Sequence, residues 1–165
     1  MTSSNPALTL AVHPAAKGFG WVIFEGDGPV DWGIATARTK HNARSMKRFA
    51  RLLDHYQPST LVLEAFEGPE AHRGERIQML AKEMRGAAAV RDIATYVYHR
   101  ADIGRTLLSN SPATRQDIAN AVAKRLPFLE PQLPKARRLW TSEDARQPLF
   151  DAVALALTHL TVRGR

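Results

Sequence analysis

The hydrophobic period of this chain changes near residue 40, and that change limits the folds open to it. Up to Ala37 the apolar residues fall in short runs separated by turn residues. Leu8–Val12 (Leu-Thr-Leu-Ala-Val) reads as a central strand buried on both faces. His13-Pro14 is expected to end it, because proline cannot donate to a ladder. Lys17-Gly18 makes a turn, Phe19–Phe24 a second strand, and Glu25-Gly26-Asp27-Gly28-Pro29 a strong turn signal. Val30–Ala37 follows as a third strand, so the chain opens as an antiparallel meander.

Beyond that point helical spacing takes over. Met46, Phe49, Leu52, Leu53 and Tyr56 share one face, with Asn42 the expected N-cap and Gln57-Pro58 the stop. Leu61-Val62-Leu63 is another buried strand, with Glu64 at its end. Glu67–Arg73 reads as a loop, and Ile77, Leu80, Ala81, Met84 and Ala88 mark an amphipathic helix. Thr95–His99 is a last short strand, followed by a small helix over Asp102–Leu108. Thr114 with Asp117 forms a capping box ahead of Ile118, Val122 and Leu126. Pro127–Trp140 reads as a long irregular connection. Leu149–Leu160 is apolar nearly all round and is expected to be a buried helix. A meander followed by alternating helices and strands implies an α/β domain: a mixed five-stranded sheet with helices on both faces. Residues 1–7 read as a flexible tail, and 8–165 as a single domain.

Composition removes several function classes. Cysteine is absent, which excludes disulfides, thiolate metal sites and cysteine nucleophiles and fits a cytoplasmic protein. No uninterrupted apolar stretch is long enough to span a bilayer, and the N-terminus lacks the pattern of a signal peptide. Lysine and arginine number 23 against 16 acids, a formal charge of +7, which favours a polyanionic partner.

Three strand or helix ends carry residues with chemistry. His13 ends the first strand, Glu64 the fourth, and Asp151 is expected in the first turn of the last helix, inside an apolar segment. Burying an unpaired carboxylate is costly, so each acid needs a cation, a hydrogen-bond donor or a metal. The bland alternatives are a helix-start charge for Asp151, favoured by the helix dipole, and a solvent-facing strand end for Glu64.

The segment from Leu10 to Ile23 (Leu-Ala-Val-His-Pro-Ala-Ala-Lys-Gly-Phe-Gly-Trp-Val-Ile) resembles the opening of RuvC-type Holliday-junction resolvases. Leu61-Val-Leu-Glu resembles their second acidic strand, and Asp151-Ala-Val-Ala-Leu-Ala-Leu-Thr-His their last helix. The three matches occur in the family's order and frame nearly the whole chain. The resemblance implies a ribonuclease-H-like fold, DNA recombination or repair as the setting, and endonuclease activity on branched or structured DNA. It also implies four carboxylates holding magnesium or manganese, which activate a water and stabilise the leaving oxygen. Family members commonly act as homodimers.

The sequence departs from this pattern at two places. His13 stands where the family has an aspartate, and imidazole suits softer metals better than magnesium. Three outcomes follow: an enzyme using one softer metal, a much slowed enzyme, or a binding protein without catalysis. Pro148 stands where the family often has an acid, which leaves Glu143 and Asp144 as candidates for the missing ligand. Asp144 lies seven residues before Asp151 and would share its face on one continuous helix.

The candidate catalytic set is therefore Glu64, Asp151, His13 and Asp144, with Glu143 added for metal binding. Candidate nucleic-acid contacts are Arg73, Arg76, Lys82, Arg85, Arg115, Lys135, Arg137, Arg138 and Phe66. Trp140 beside the basic cluster is either a base-stacking platform or a core residue, and His159 reads as a buried, hydrogen-bonded histidine. No helix-turn-helix or zinc finger is present, so phosphates and shape should dominate binding. Strand-end chemistry does not separate DNA from RNA, so an RNA-processing nuclease of the YqgF type, which shares the fold, stands beside the resolvase reading. A nucleotide-binding domain of the actin type would need glycine-rich phosphate loops, which are not evident.

Overall fold

The computed structural model describes residues 7–65, 74–109, 114–134 and 145–164. Three strands open the chain: β1 (Leu8–Ala15), β2 (Gly18–Glu25) and β3 (Gly28–Thr36). They are followed by α1 (His41–Tyr56), β4 (Thr60–Glu64), α2 (Glu75–Val90), β5 (Ala94–Tyr98), α3 (Arg100–Leu108), α4 (Arg115–Arg125) and α5 (Gln147–Arg163). The five strands form one sheet in the order β3-β2-β1-β4-β5. The first three pair antiparallel, and β4 is parallel to both β1 and β5.

Strand alternation divides the core. Leu10, Val12, Leu61 and Leu63 point to the face covered by α1 and α2, where they meet Phe49, Leu53, Leu80 and Met84. Ala11, Val22, Phe24 and Val62 point to the other face, against α3, α4 and α5. Full burial of a Leu or Phe stabilises by about 1.5–3 kcal/mol, so two faces each covered this way account for a stable domain without disulfides. α5 is buried continuously from Gln147 to His159, which is why its sequence is apolar on every side.

Four elements differ from the sequence-based expectation. β1 does not stop at His13-Pro14 but runs to Ala15, paired there with β2. Its parallel pairing with β4 covers only Thr9↔Thr60 to Ala11↔Val62, so proline interrupts no ladder on that side. Asn42 is not the N-cap of α1; Lys40 is, in the left-handed conformation (φ 49°). Asn42 instead joins α1 to α2, its amide donating to Arg76 O at 3.0 Å and its Oδ1 accepting from Arg76 Nη1 at 3.0 Å. The connection after α4 begins with a 3-10 segment, Pro127–Gln132, which buries Leu129. Finally, α5 starts at Gln147, so Asp151 belongs to its second turn rather than its first. The Thr114–Asp117 capping box is present, with Asp117 N donating to Thr114 Oγ1 and Thr114 N to Asp117 Oδ2, both at 3.0 Å. These bonds hold the Asp117 carboxyl below its ordinary pKa, the backbone N–H contributing most.

Candidate functional site

Parity in the sheet creates the site. His13 lies two residues beyond Ala11 and Glu64 two beyond Val62, the last parallel pair between β1 and β4. Both side chains therefore point to the α5 face, side by side, at the carboxyl edge where the two strands no longer pair. Ligand sites in α/β sheets characteristically lie at this edge.

α5 brings the third group. Its start lies on Gly20, the residue of β2 paired with His13. A Cβ on Gly20 would sit 2.2 Å from the Pro148 carbonyl carbon and oxygen and 2.4 Å from Leu149 N. Only glycine lets the helix come this close, and the close approach sets Asp151 beside His13.

His13, Glu64 and Asp151 are 1%, 7% and 5% exposed. At that depth a carboxylate is tolerated only with partners, and each has them. His13 Nε2 lies 3.2 Å from Glu64 Oε2; with an ionised Glu64, Nε2 carries the hydrogen and donates. His13 Nδ1 is 3.7 Å from Asp151 Oδ2, beyond hydrogen-bond length. Arg100 Nε donates to Glu64 Oε1 at 3.3 Å. Arg115 Nη2 donates to Asp151 Oδ2, and Gln147 Nε2 donates to Asp151 Oδ1 at 3.2 Å. The centre is thus an imidazole between two carboxylates, each held by an arginine.

The arginines arrive by local structure. Arg100 opens α3 directly after β5, whose last residue, Tyr98, is in register with Glu64. Arg115 opens α4, behind the Thr114 cap. Arg115 therefore belongs to the acidic centre, whereas the sequence grouped it with a nucleic-acid surface. Arg100 and Gln147 were missed altogether. Gln147 lies four residues before Asp151, a spacing that places both on one helix face and was open to detection.

The other predicted residues divide as follows. Lys82 and Arg85 line a small cleft together with Leu63, Glu64, Ala65, Gln78, Ala81 and Val97. This cleft lies at the carboxyl end of β4 on the α2 face of the sheet, the face opposite α5. Arg76 is engaged with Asn42 and with the carbonyl of Ala16, bracing α2 against α1 and the β1–β2 turn. Phe66, Arg73, Lys135, Arg137, Arg138, Trp140, Glu143 and Asp144 lie outside the described residues. α5 begins at Gln147, so the helix that carries Asp151 does not extend back through residues 145 and 146.

His159 sits two turns past Asp151, buried and bonded, as its sequence context suggests. Its Nδ1 is hydrogen-bonded to the Tyr98 hydroxyl at 2.8 Å, and the Tyr96 ring packs against it at 4.7 Å. Burial, reinforced by the Arg163 charge, pushes its pKa below the ordinary histidine value. Burial likewise pushes Tyr98 above its ordinary value. Both shifts favour the neutral forms that make the bond.

The donors present do not fit a divalent ion in this arrangement. Among the described residues no group of three or more histidines and acids converges to hold one. Among the described residues each carboxylate already pairs with a guanidinium. A hard cation seeks a negative, oxygen-rich cage, and among the described residues two arginine-paired carboxylates on either side of an imidazole do not make one.

No family model matches the sequence, and no curated protein does. Solved structures do. RuvC from Thermus thermophilus shares 17% identity at a TM-score of 0.70, with 95% of each chain covered. The same protein in complex with a Holliday junction substrate gives 17% and 0.70, covering 95% of this chain and 94% of that one. The yeast mitochondrial Holliday junction resolvase shares 9% identity at a TM-score of 0.62, covering 96% of this chain and 80% of that one. The fold is therefore RuvC-like, of the ribonuclease-H-like kind, over almost the entire chain, as the ordered sequence motifs imply.

Proposed function

We propose that this protein binds branched or structured DNA, using the RuvC-like fold as a platform that reads phosphates and shape. The observation that carries this reading is the cleft lined by Lys82 and Arg85 at the carboxyl end of β4, the strand edge where α/β sheets hold their ligands. The net charge of +7 supports it, because phosphate neutralisation supplies most non-specific affinity. The likeness to a RuvC solved with a junction supports the branched form of the substrate. No helix of the described residues is long and apolar enough to cross a membrane.

A second reading is endonucleolytic cleavage of the same substrate. It is favoured by the meeting of Glu64 and Asp151 with His13, three buried ionisable groups at one strand edge. Glu143 and Asp144 would complete an acidic set under this reading. With the arginines in place, the geometry favours binding over hydrolysis in magnesium.

One experiment separates the two. A labelled four-way junction, a duplex, a single strand and an RNA duplex are incubated with the protein in magnesium and then in manganese. Junction-preferring, salt-sensitive binding without cleavage is the expected result. Nicking that disappears in Glu64→Gln and Asp151→Asn would establish the endonuclease instead. Preference for the RNA duplex would move the substrate to RNA, and no preference among the four would overturn the reading.

A further inference from the structure

We propose that α1 carries a second phosphate-binding surface, a basic ridge that receives a duplex arm of the nucleic acid held at the sheet edge. The proposal rests on the reading of this protein as DNA-binding and adds a contact surface outside the acidic centre and the α2 cleft. Between Asp31 and Asp54 the sequence holds six cations, Arg38, Lys40, Arg44, Lys47, Arg48 and Arg51, and no acid. The rest of the chain carries 17 cations against 16 acids, so this one segment accounts for +6 of the net +7. All six residues are exposed. Among the described residues none of their side chains joins an ion pair or a hydrogen bond. The one acid on α1, Asp54, is held by Arg91 at 3.3 Å.

Helical spacing gathers Arg44, Lys47, Arg48 and Arg51 into one stripe, at i, i+3, i+4 and i+7, turned away from the buried Ser45, Phe49 and Leu53. A face that needs charge only for solubility gains by interleaving both signs. This one sets Arg44 against Arg48 and Lys47 against Arg51 at i,i+4, where like charges repel. It also has no acid in its first turn, where the helix dipole favours one. The ridge therefore works against its own helix, and an outside polyanion relieves it. Its position suits the arm of a ligand bound at the sheet edge. β3 runs in the direction of β1, so Thr36 ends level with Gly18 and Ala15, at the carboxyl edge of the sheet. Arg38 and Lys40 follow at that edge, and α1 runs back from it to the start of β4, on the face opposite α5. The stripe from Arg44 to Arg51 is roughly 10 Å long, about three base-pair steps of a duplex. Phe49 and Leu53, the apolar side of α1, are in the core, so the helix has no face to insert into lipid. Duplex phosphates are the polyanion that a rigid, purely basic ridge fits.

The test is the salt dependence of binding by the complete chain to a labelled duplex and a labelled four-way junction. Arg44→Gln/Arg48→Gln is expected to make the slope of log affinity against log salt shallower by about 2 on both probes. Arg44→Gln/Lys47→Gln/Arg48→Gln/Arg51→Gln should make it shallower by roughly 3–4. Both variants should melt no lower than wild type, because the side chains are exposed and like-charge repulsion is removed. If the quadruple variant does not fold, the double variant carries the test. Lys124→Gln/Arg125→Gln, which removes two exposed cations from α4 on the other face of the sheet, is matched in charge to the double variant and should keep the wild-type slope. Folded ridge variants with the wild-type slope would overturn the proposal and leave junction binding through the cleft standing. An equal loss in the α4 control would also overturn it, since net charge alone would then explain the effect. Wild-type protein that binds neither probe would overturn this proposal together with the DNA-binding reading. Tighter ridge-dependent binding to phosphatidylserine vesicles than to duplex at the same salt would assign the ridge to a membrane instead.

Discussion

Substituting alanine at Gly20 tests the geometry on which the centre depends. The added Cβ would lie 2.2 Å from the Pro148 carbonyl, against the 3.4 Å at which ordinary contact begins, a shortfall of 1.2 Å. The atoms it meets are backbone, and Gly20 itself is paired with His13 on one side and Ile34 on the other. Neither partner is a flexible chain end, so α5 must move as a body. Overpacking of this kind costs about 1–3 kcal/mol, and a backbone clash belongs at the upper end, about 3 kcal/mol. In a domain of this size that lowers Tm by roughly 6–12 °C. Moving the start of α5 also carries Gln147 and Asp151 away from His13 and Arg115. Urea unfolding followed by circular dichroism measures the loss. Gly28→Ala is the control, since nothing lies within 4 Å of its added carbon, and its effect should stay within about 0.5 kcal/mol. A Gly20→Ala protein as stable as that control would refute the placement of α5.

Two further outcomes are expected. The folded state holds His159 below its ordinary pKa of 6.5, so the unfolded chain binds that proton more readily. Stability from this site is present above pH 6.5 and lost as pH falls through the lower folded value. His159→Phe should flatten the stability profile between pH 7 and pH 5 by removing that proton, and an unchanged slope in urea titrations would count against the assignment. Lys82→Ala/Arg85→Ala should weaken junction binding and reduce the slope of log affinity against log salt by about 2, one for each cation withdrawn from a phosphate. An unaltered slope would place the phosphate-binding groups elsewhere.

Much of the fold was legible because its signals are local. Turn residues at Glu25–Pro29 and the apolar run Leu8–Val12 depend on neighbours in sequence, as does the Thr114–Asp117 cap. The burial of α5 followed from a helix with no polar side. The end of β1 was misplaced because the effect of a proline depends on which side of the strand is paired, a tertiary fact. Asn42 has an N-cap's composition but is used between helices, where Arg76 supplies the partner.

The site was legible in its acids and not in its cations. Glu64 and Asp151 stood out because carboxylates are rare among apolar neighbours. Arg100 and Arg115 did not, because basic residues are common in a chain of this charge and nothing local marks the two that turn inward. Their partners lie 36 residues away in each case. Gly20 was equally silent, since its role is set by a helix that begins more than a hundred residues later.

The most direct test of the functional account is the affinity of the protein for a four-way junction relative to a duplex of the same length and sequence, at one fixed salt concentration. The account predicts tighter binding to the junction, with both affinities falling steeply as salt rises. Equal affinity for the two forms, or binding that ignores salt, would contradict it.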